Sequence, residues 1–227
     1  MGVLAGVRAA IIDLDGTMLD TIPDFHVAIN GMRAELGLAP IMQAQIALMV
    51  GKGSENLIRS VLALDLDPAG VEARFDAAMD AYQRHYLRIN GRHSALYDGV
   101  TDGLAAMQAQ GLRLACVTNK PIAFTTPLLK LKGLDHFFEV VYGGDSLARK
   151  KPDPLPLLTV CADFGLAPAQ VVAIGDSSND AQAARAAGCP VLTVPYGYNH
   201  GQAIHDTDSD GIVATLLEAA ILIRSQN

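Results

Sequence analysis

The feature of this sequence that most constrains its fold is a series of short apolar runs, each ending in polar or glycine residues. The runs cover residues 7–14, 112–117, 137–142, 171–174 and 189–194. Helical patterns lie between these runs, at residues 101–110, 122–132, 154–164 and 179–187. Buried strands that alternate with helices are typical of a parallel sheet. The sequence therefore predicts an α/β fold with a Rossmann-like parallel sheet core.

The segment between the first two runs has a different character, because residues 23–92 contain no convincing strand. Their apolar residues recur at helical spacing, as in Leu57, Val61 and Leu64. Connections between strands are usually short, so a helical block of this length indicates an insertion. We expect residues 1–20 and 94–227 to form the catalytic core and residues 21–93 to form a helical cap domain.

The charge balance disfavours a protein that binds nucleic acid. The 227 residues carry a formal charge of -7, from 17 basic and 24 acidic side chains, whereas phosphate contacts need clustered cations. The basic cluster at Arg149, Lys150 and Lys151 is long enough to hold a single phosphate. A small-molecule phosphate is therefore a better expected partner than a duplex.

The sequence also predicts a cytoplasmic protein that is not inserted in a membrane. No stretch is long and uncharged enough to cross a bilayer, and the first ten residues do not resemble a signal peptide. The three cysteines are odd in number and lack the paired spacing of a zinc site. Unpaired cysteines are typical of a reducing compartment.

Polar side chains follow the predicted strands, at the edge where open parallel sheets bind ligands. They are Asp13, Asp15, Thr118, Asn119, Lys151, Asp176 and Asp180. Two carboxylates about 4 Å apart repel each other by roughly 4 kcal/mol at an effective dielectric of 20, unless a cation lies between them. Hard oxygen ligands favour Mg²⁺, and no cluster of His or Cys indicates zinc. The pattern therefore predicts a magnesium site.

A carboxylate beside a metal ion can attack phosphorus and form an acyl phosphate. Asp13 fits the nucleophile, and Asp15 can protonate the leaving oxygen and then activate water. Thr118, Asn119 and Lys151 would neutralise the phosphoryl oxygens. Each residue alone has a commoner explanation as a turn, a helix cap or a solvated side chain. Their occurrence together at strand ends favours a phosphoryl-transfer site.

These residues resemble the four motifs of the haloacid dehalogenase-like hydrolase superfamily. The D-x-D-G-T motif stands at residues 13–17, the second motif ends at Thr118, the third is Lys151 before Pro152, and G-D-S-x-x-D stands at residues 175–180. The resemblance covers nearly the whole chain. It implies a Mg²⁺-dependent hydrolase with a cap domain.

The same resemblance implies a role for each matching residue. Asp13 would be the nucleophile and Asp15 the acid and base. Asp13, the Asp15 backbone carbonyl and Asp176 would hold Mg²⁺, with Asp180 in support. Thr17, Thr118, Asn119 and Lys151 would contact the substrate.

An aspartate at position 15 indicates phosphate ester chemistry, because the dehalogenase and phosphonatase branches lack it. Within the superfamily, the chain resembles the bacterial phosphoglycolate phosphatases at residues 49–53, 97–100 and 195–201. This implies a small phosphate monoester, with 2-phosphoglycolate as the best candidate. Lys52 in the cap loop is an expected partner for the substrate carboxylate, although a solvated Lys52 is an equally good interpretation.

Three other functions fit parts of the pattern. One is a sugar-phosphate phosphatase, for example for N-acetylmuramic acid 6-phosphate, and another is a phosphomutase of the same superfamily. The third is a phospho-accepting signalling module, which would place its nucleophile on a later strand than the acidic pair. The sequence is compatible with a monomer or a homodimer.

Overall fold

The computed structural model describes residues 4–226, so residues 1–3 and 227 of the predicted core lie outside the described part. In chain order the elements are β1 (Ala9–Ile12), β2 (Leu19–Asp20), α1 (Ile22–Glu35), α2 (Gln43–Ala47), α3 (Ser54–Leu62), α4 (Pro68–Ile89), β3 (Ala95–Leu96), α5 (Val100–Ala109), β4 (Arg113–Val117), α6 (Ile122–Leu131), β5 (Val140–Tyr142), α7 (Leu155–Phe164), β6 (Val171–Gly175), α8 (Ser178–Ala187), β7 (Val191–Thr193), β8 (Gly211–Ile212) and α9 (Leu216–Gln226). Six strands form one sheet in the order β5-β4-β1-β6-β7-β8. All neighbouring pairs in this sheet are parallel.

The central strands are apolar throughout because both faces of the sheet are covered. Side chains alternate along a strand, so Ala10 and Ile12 of β1 join an apolar cluster that includes residues of α5, α6 and α9. Ala9 and Ile11 join a second cluster, with residues of α7 and α8. Two buried faces are typical of a parallel sheet. The predicted α/β fold with a parallel sheet is confirmed.

The inserted helices have an apolar core of their own. Residues of α1 to α4, among them Ile29, Met32, Ile58, Val61 and Tyr82, form a third cluster of buried side chains. The predicted helical insertion is thus confirmed as an architectural feature, whereas its boundaries at residues 21 and 93 stay a prediction. No helix within residues 4–226 has the length and apolarity needed to span a membrane.

Several elements differ from the sequence-based expectation. The run at residues 137–142 is only partly a strand, because Asp135–Phe137 forms a 3₁₀ turn and β5 begins at Val140. The apolar run begins before the strand because Phe137 of this turn packs against the core. Strand β8 and the pair β2-β3 were not expected, since each strand has only two residues and gives no periodic signal. Helix α9 was not predicted either.

The two chain segments that connect the insertion to the core are fastened to each other. Strand β2 pairs with β3 in antiparallel register. Beyond this pair, the fully buried carboxylate of Asp24 accepts hydrogen bonds from the backbone N–H groups of Gly91 and His93, each at 2.8 Å. A carboxylate that satisfies two backbone donors away from water fixes both segments in one position. Asp24 therefore sets where the helical insertion stands relative to the sheet.

Replacing Asp24 by alanine should reduce the free energy of unfolding by roughly 2–5 kcal/mol, because two backbone donors lose their acceptor in a buried place. Asp67 provides a matched control. Its carboxylate accepts a hydrogen bond from the Gly70 N–H at the exposed start of α4. Asp67→Ala should cost about 1 kcal/mol, as for an ordinary helix cap. Urea denaturation measures both values, and equal losses would contradict the role given to Asp24.

Candidate active site

The loop after β1 places two carboxylates at the carboxyl edge of the sheet. Asp13 continues the ladder, with its N–H donating to the Ile174 carbonyl at 3.0 Å. Asp15 follows, and the chain then turns at Gly16, which has a φ of +87°. A Cβ atom at Gly16 would overlap the carboxylate of Asp176. Only glycine combines this conformation with such a close approach.

Three carboxylates converge beyond the ends of β1 and β6. Asp13, Asp176 and Asp180 each offer one oxygen, and these oxygens lie within 4.8 Å of one another. Asp176 accepts from the Thr17 hydroxyl at 3.2 Å and from the Tyr198 N–H at 2.7 Å. These donors orient Asp176 while its carboxylate is almost completely buried.

Lys151 is the cation of this cluster. Its Nζ lies 2.9 Å from Asp13 Oδ1 and 2.6 Å from Asp180 Oδ1, and it donates to the Val117 carbonyl at 2.7 Å. Burial alone would lower the pKa of Lys151, but Asp13 and Asp180 raise it above its ordinary value. Lys151 is therefore a permanent cation in this site.

The cluster has the properties of a divalent cation site. If all three carboxylates were ionised, the cluster would carry a formal charge of -2 beside the one ammonium group. Burial raises the pKa of Asp13 to about 7, with Asp180 adding to the effect and Lys151 opposing it. Burial, followed by Asp180 and Asp13, raises the pKa of Asp176 well above its ordinary value. A bound divalent cation would supply the charge that the protein lacks here.

The surroundings of Asp13 Oδ1 support the same interpretation. This oxygen is buried, and its contact with Lys151 Nζ, at 2.9 Å, is the ion pair described above. A carboxylate oxygen has a second lone pair, which a bound ion can occupy. The residues present thus fit a metal ion bound by hard oxygen ligands.

Residues after β4 connect the core to the helical insertion. Thr118 is buried, and its N–H donates to the Tyr142 carbonyl at 3.0 Å. Asn119 donates to the carbonyl of Lys151 and to that of Gly51, each at 2.9 Å. Since Gly51 belongs to the insertion, Asn119 holds the insertion against the sheet edge and closes it over the site.

The structure brings most of the predicted site residues to one cavity. Asp13, Asp15, Thr118, Asn119, Lys151 and Asp180 all line it. Thr17 is fully buried, and its hydroxyl is directed to Asp176. Lys52 is exposed and is not among the lining residues. Of the two adjacent lysines, Lys151 rather than Lys150 reaches the carboxylates.

Sequence reasoning missed the aromatic wall of this cavity and a second lysine. Phe25, Tyr82, Tyr86 and Phe124 line the side formed mainly by the insertion. Lys120 is buried beside them, and its Nζ donates to both oxygens of Asp15, at 3.1 and 3.2 Å. The available signal was its position directly after Thr118 and Asn119, at the end of a buried strand.

A half-buried histidine stands at the contact between the insertion and the core. His200 is close to the insertion loop at Gly51, and its Nε2 lies 3.2 Å from Asn179 Nδ2. Asn179 also donates to the Gly51 carbonyl, at 3.2 Å. Burial lowers the pKa of His200, with Lys52 adding to the effect. The imidazole is therefore neutral at pH 7 and contributes to the contact between insertion and core.

This α/β core, the helical insertion and the acidic cluster define a class of hydrolase. The family model described as haloacid dehalogenase-like hydrolase matches residues 10–194. The chain belongs to this family, and the family resemblance predicted from the motifs is confirmed.

Individual proteins with high sequence identity to this chain point to a smaller group within the family. The phosphoglycolate phosphatase of Thiobacillus denitrificans is 48% identical over 217 residues, which are 96% of each chain. That of Nitrosospira multiformis is 47% identical over 97% of each chain. A crystal structure of a predicted phosphoglycolate phosphatase from Haemophilus somnus superposes with a TM-score of 0.90 at 31% identity, covering 96% of this chain and 98% of the other.

The raised pKa of Asp13 predicts a pH-dependent stability in the metal-free protein. The folded state holds the Asp13 proton up to about pH 7, whereas the unfolded chain releases it near 3.8. Stability is therefore lost as pH rises from the lower value to the higher one, by at most about 1.4 kcal/mol per pH unit from this group. In Asp13→Asn, a neutral side chain of the same shape, this loss should be absent.

Thermal melts in EDTA between pH 5 and pH 8 measure the effect. The Tm difference between Asp13→Asn and wild type should grow in favour of the variant as pH rises. Asp102→Asn, an exposed position on α5, controls for the general effect of removing a carboxylate and should give a constant difference. A constant difference for Asp13→Asn as well would contradict the burial and repulsion described above.

Proposed function

We propose that this protein is a phosphatase that hydrolyses 2-phosphoglycolate to glycolate and inorganic phosphate with the aid of Mg²⁺. The observation that supports this best is the likeness, over almost the entire length of both chains, to proteins named phosphoglycolate phosphatases. Asp13 and Asp15 line one cavity, which supports a carboxylate nucleophile at Asp13 with a second carboxyl group next to it. Both are needed for ester cleavage through an acyl phosphate.

In the first step Asp13 attacks the phosphorus atom. A bond forms between an Asp13 oxygen and phosphorus while the bond from phosphorus to the ester oxygen breaks. Asp15 gives its proton to that ester oxygen, so glycolate leaves with a neutral hydroxyl group. The phosphoryl group remains on Asp13.

In the second step Asp15 acts as a base. It takes a proton from a water molecule whose oxygen attacks the phosphorus. The bond to Asp13 breaks, inorganic phosphate is released, and the Asp13 carboxylate is restored. The water contributes both the hydroxyl of phosphate and the proton that returns to Asp15.

The remaining residues would bind either Mg²⁺ or the phosphoryl oxygens. Mg²⁺, bound by Asp13, Asp176 and the Asp15 backbone carbonyl with Asp180 in support, would neutralise the anionic nucleophile and phosphate as they meet. Lys151, Thr118 and Asn119 would contact the phosphoryl oxygens. Contact of Thr17 or Lys52 with the substrate stays a prediction, because the hydroxyl of Thr17 is directed to Asp176 and Lys52 is exposed.

We also infer a cytoplasmic protein that acts as a monomer or homodimer. Cys116, Cys161 and Cys189 are buried and unpaired, which fits a reducing compartment. Size-exclusion chromatography with light scattering decides the oligomeric state.

Replacing each of the two carboxylates, Asp13 and Asp15, by its amide tests the mechanism. Asp13→Asn should abolish turnover, because the amide cannot form the acyl phosphate. Asp15→Asn should reduce kcat by about 10²- to 10⁴-fold, as expected for the loss of a general acid and base. With 4-nitrophenyl phosphate, whose leaving group needs no proton, Asp15→Asn should still form the acyl phosphate and release about one equivalent of 4-nitrophenol before it stalls. Phosphate release assays measure the turnover of both variants, and absorbance measures the release of 4-nitrophenol; substantial turnover by Asp13→Asn would contradict the mechanism.

The substrate assignment is tested with a panel of phosphate esters, with and without Mg²⁺. We expect the highest kcat/KM for 2-phosphoglycolate, and loss of activity in EDTA that Mg²⁺ reverses. The panel includes N-acetylmuramic acid 6-phosphate and hexose phosphates, for the sugar-phosphate alternative. Stoichiometric release of inorganic phosphate distinguishes a phosphatase from a phosphomutase. Equal rates for sugar phosphates would overturn the assignment.

A further inference from the structure

Lys120 is a buried cation that the four family motifs do not include. Its side chain is 2% exposed, and that of Asp15 is 10% exposed. Besides its two contacts with Asp15, the Nζ atom donates to the Tyr86 hydroxyl oxygen at 2.6 Å. Lys120 follows β4 of the core, whereas Tyr86 lies on α4 of the insertion. The ammonium group thus stands where the two parts of the protein meet.

The surroundings of this ammonium group are aromatic. Its Nζ lies 4.6 Å from the centroid of the Phe25 ring and 4.7 Å from that of Tyr86. Phe124 and Tyr86 pack in a T-shaped pair, at 5.0 Å between centroids. Aromatic faces attract a cation but do not neutralise it. A buried charge therefore still needs an anion, and Asp15 fills this role in the free protein.

Lys120 and Lys151 are the two lysines that line the cavity, as far as residues 4–226 are concerned. Lys151 is already engaged by Asp13, Asp180 and a backbone carbonyl. An anionic group at the other end of a substrate would therefore meet Lys120. The ammonium group has three N–H donors. They are directed to the Tyr86 hydroxyl oxygen and to the two oxygens of Asp15, so a ligand carboxylate would take the place of one Asp15 oxygen.

We propose that Lys120 binds a carboxylate on the leaving group and thereby selects small phosphate esters of α-hydroxy acids. This inference rests on the proposed function and assigns its specificity. In an ester of that kind one carbon separates the carboxylate from the ester oxygen. The group that protonates the ester oxygen and the group that binds the carboxylate must then be neighbours, as Asp15 and Lys120 are.

The aromatic side chains add a limit on size. Phe25 and Tyr86 flank the ammonium group, Phe124 packs on Tyr86, and all three line the same cavity as Lys120. A sugar ring in place of the short acid would meet these rings and would offer Lys120 no negative charge. Because Tyr86 comes from the insertion, closure of the insertion over the sheet completes the carboxylate site.

The test compares two esters that differ in the charge of the leaving group, 2-phosphoglycolate and ethyl phosphate. For Lys120→Met we expect the ratio of their kcat/KM values to fall by roughly 10²-fold, as for the loss of a buried charge pair. A general disturbance of Asp15 lowers both values and leaves the ratio unchanged. An unchanged ratio in Lys120→Met would overturn the proposal.

Three further variants, Tyr86→Phe, Lys130→Met and Lys52→Met, keep the test valid if Lys120→Met does not fold. Tyr86→Phe removes only the hydroxyl that holds Lys120 and should lower the ratio by a few-fold through a higher KM for 2-phosphoglycolate. Lys130→Met, an exposed lysine on α6, is the control and should keep the wild-type ratio. No change in Tyr86→Phe, or a collapse of the ratio in Lys52→Met alone, counts against Lys120.

The wild-type measurement separates this inference from the function on which it rests. If wild type prefers 2-phosphoglycolate and Lys120→Met retains the preference, the role of Lys120 is wrong and the substrate assignment stands. If wild type hydrolyses ethyl phosphate as well as 2-phosphoglycolate, the substrate assignment itself fails, and the proposal fails with it.

Discussion

Electrostatic repulsion among buried carboxylates is the constraint on which the rest of this structure depends. Asp13, Asp176 and Asp180 lie within reach of one ion, and Lys151 compensates only part of their charge. Such an arrangement costs stability in the free protein, as the raised pKa of Asp13 indicates. A fold can retain it only because the parallel sheet and the glycine turn at Gly16 impose the positions. The same excess of negative charge prepares the site for a divalent cation and, through it, for a phosphate.

The helical insertion supplies what the sheet edge lacks. The sheet provides groups for the phosphoryl end of a substrate, while the aromatic wall and the hydroxyl of Tyr86 come from the insertion. Asn119 and Asn179 donate to the same carbonyl, that of Gly51, and hold the two parts together. Closing the cavity in this way excludes water, which strengthens each charged contact within it. Chemistry and selection are thus divided between the two parts of the chain.

Much of the sheet-edge site could be predicted from sequence, because the geometry of parallel sheets is simple. Carboxyl ends of neighbouring strands meet at one edge, so Asp13, Thr118 and Asp176 had to lie close together once their strands were recognised. The sequence could not indicate which way Thr17 faces, since that depends on the turn at Gly16. Nor could it reveal Lys120, because the meaning of that lysine depends on packing against α4, which is far away along the chain.

The strands that the sequence analysis did not predict were missed for a related reason. Strands β2, β3 and β8 have two residues each and exist because neighbouring strands pair with them. A periodic pattern cannot be read from two residues. Asp24 is a comparable case, because nothing in its local sequence distinguishes a buried carboxylate that fastens two chain segments from an ordinary acidic residue in the first turn of a helix. Local patterns predict the regular core, and tertiary contacts decide the rest.

The central claim is that the Asp13 carboxylate receives the phosphoryl group. The most direct measurement is mass spectrometry of the Asp15→Asn variant after it is mixed with 4-nitrophenyl phosphate and Mg²⁺ and quenched in acid. The account predicts one phosphoryl group, located on Asp13 within the tryptic peptide of residues 9–33, and sensitive to hydroxylamine. Release of 4-nitrophenol with an unmodified Asp13 would contradict it.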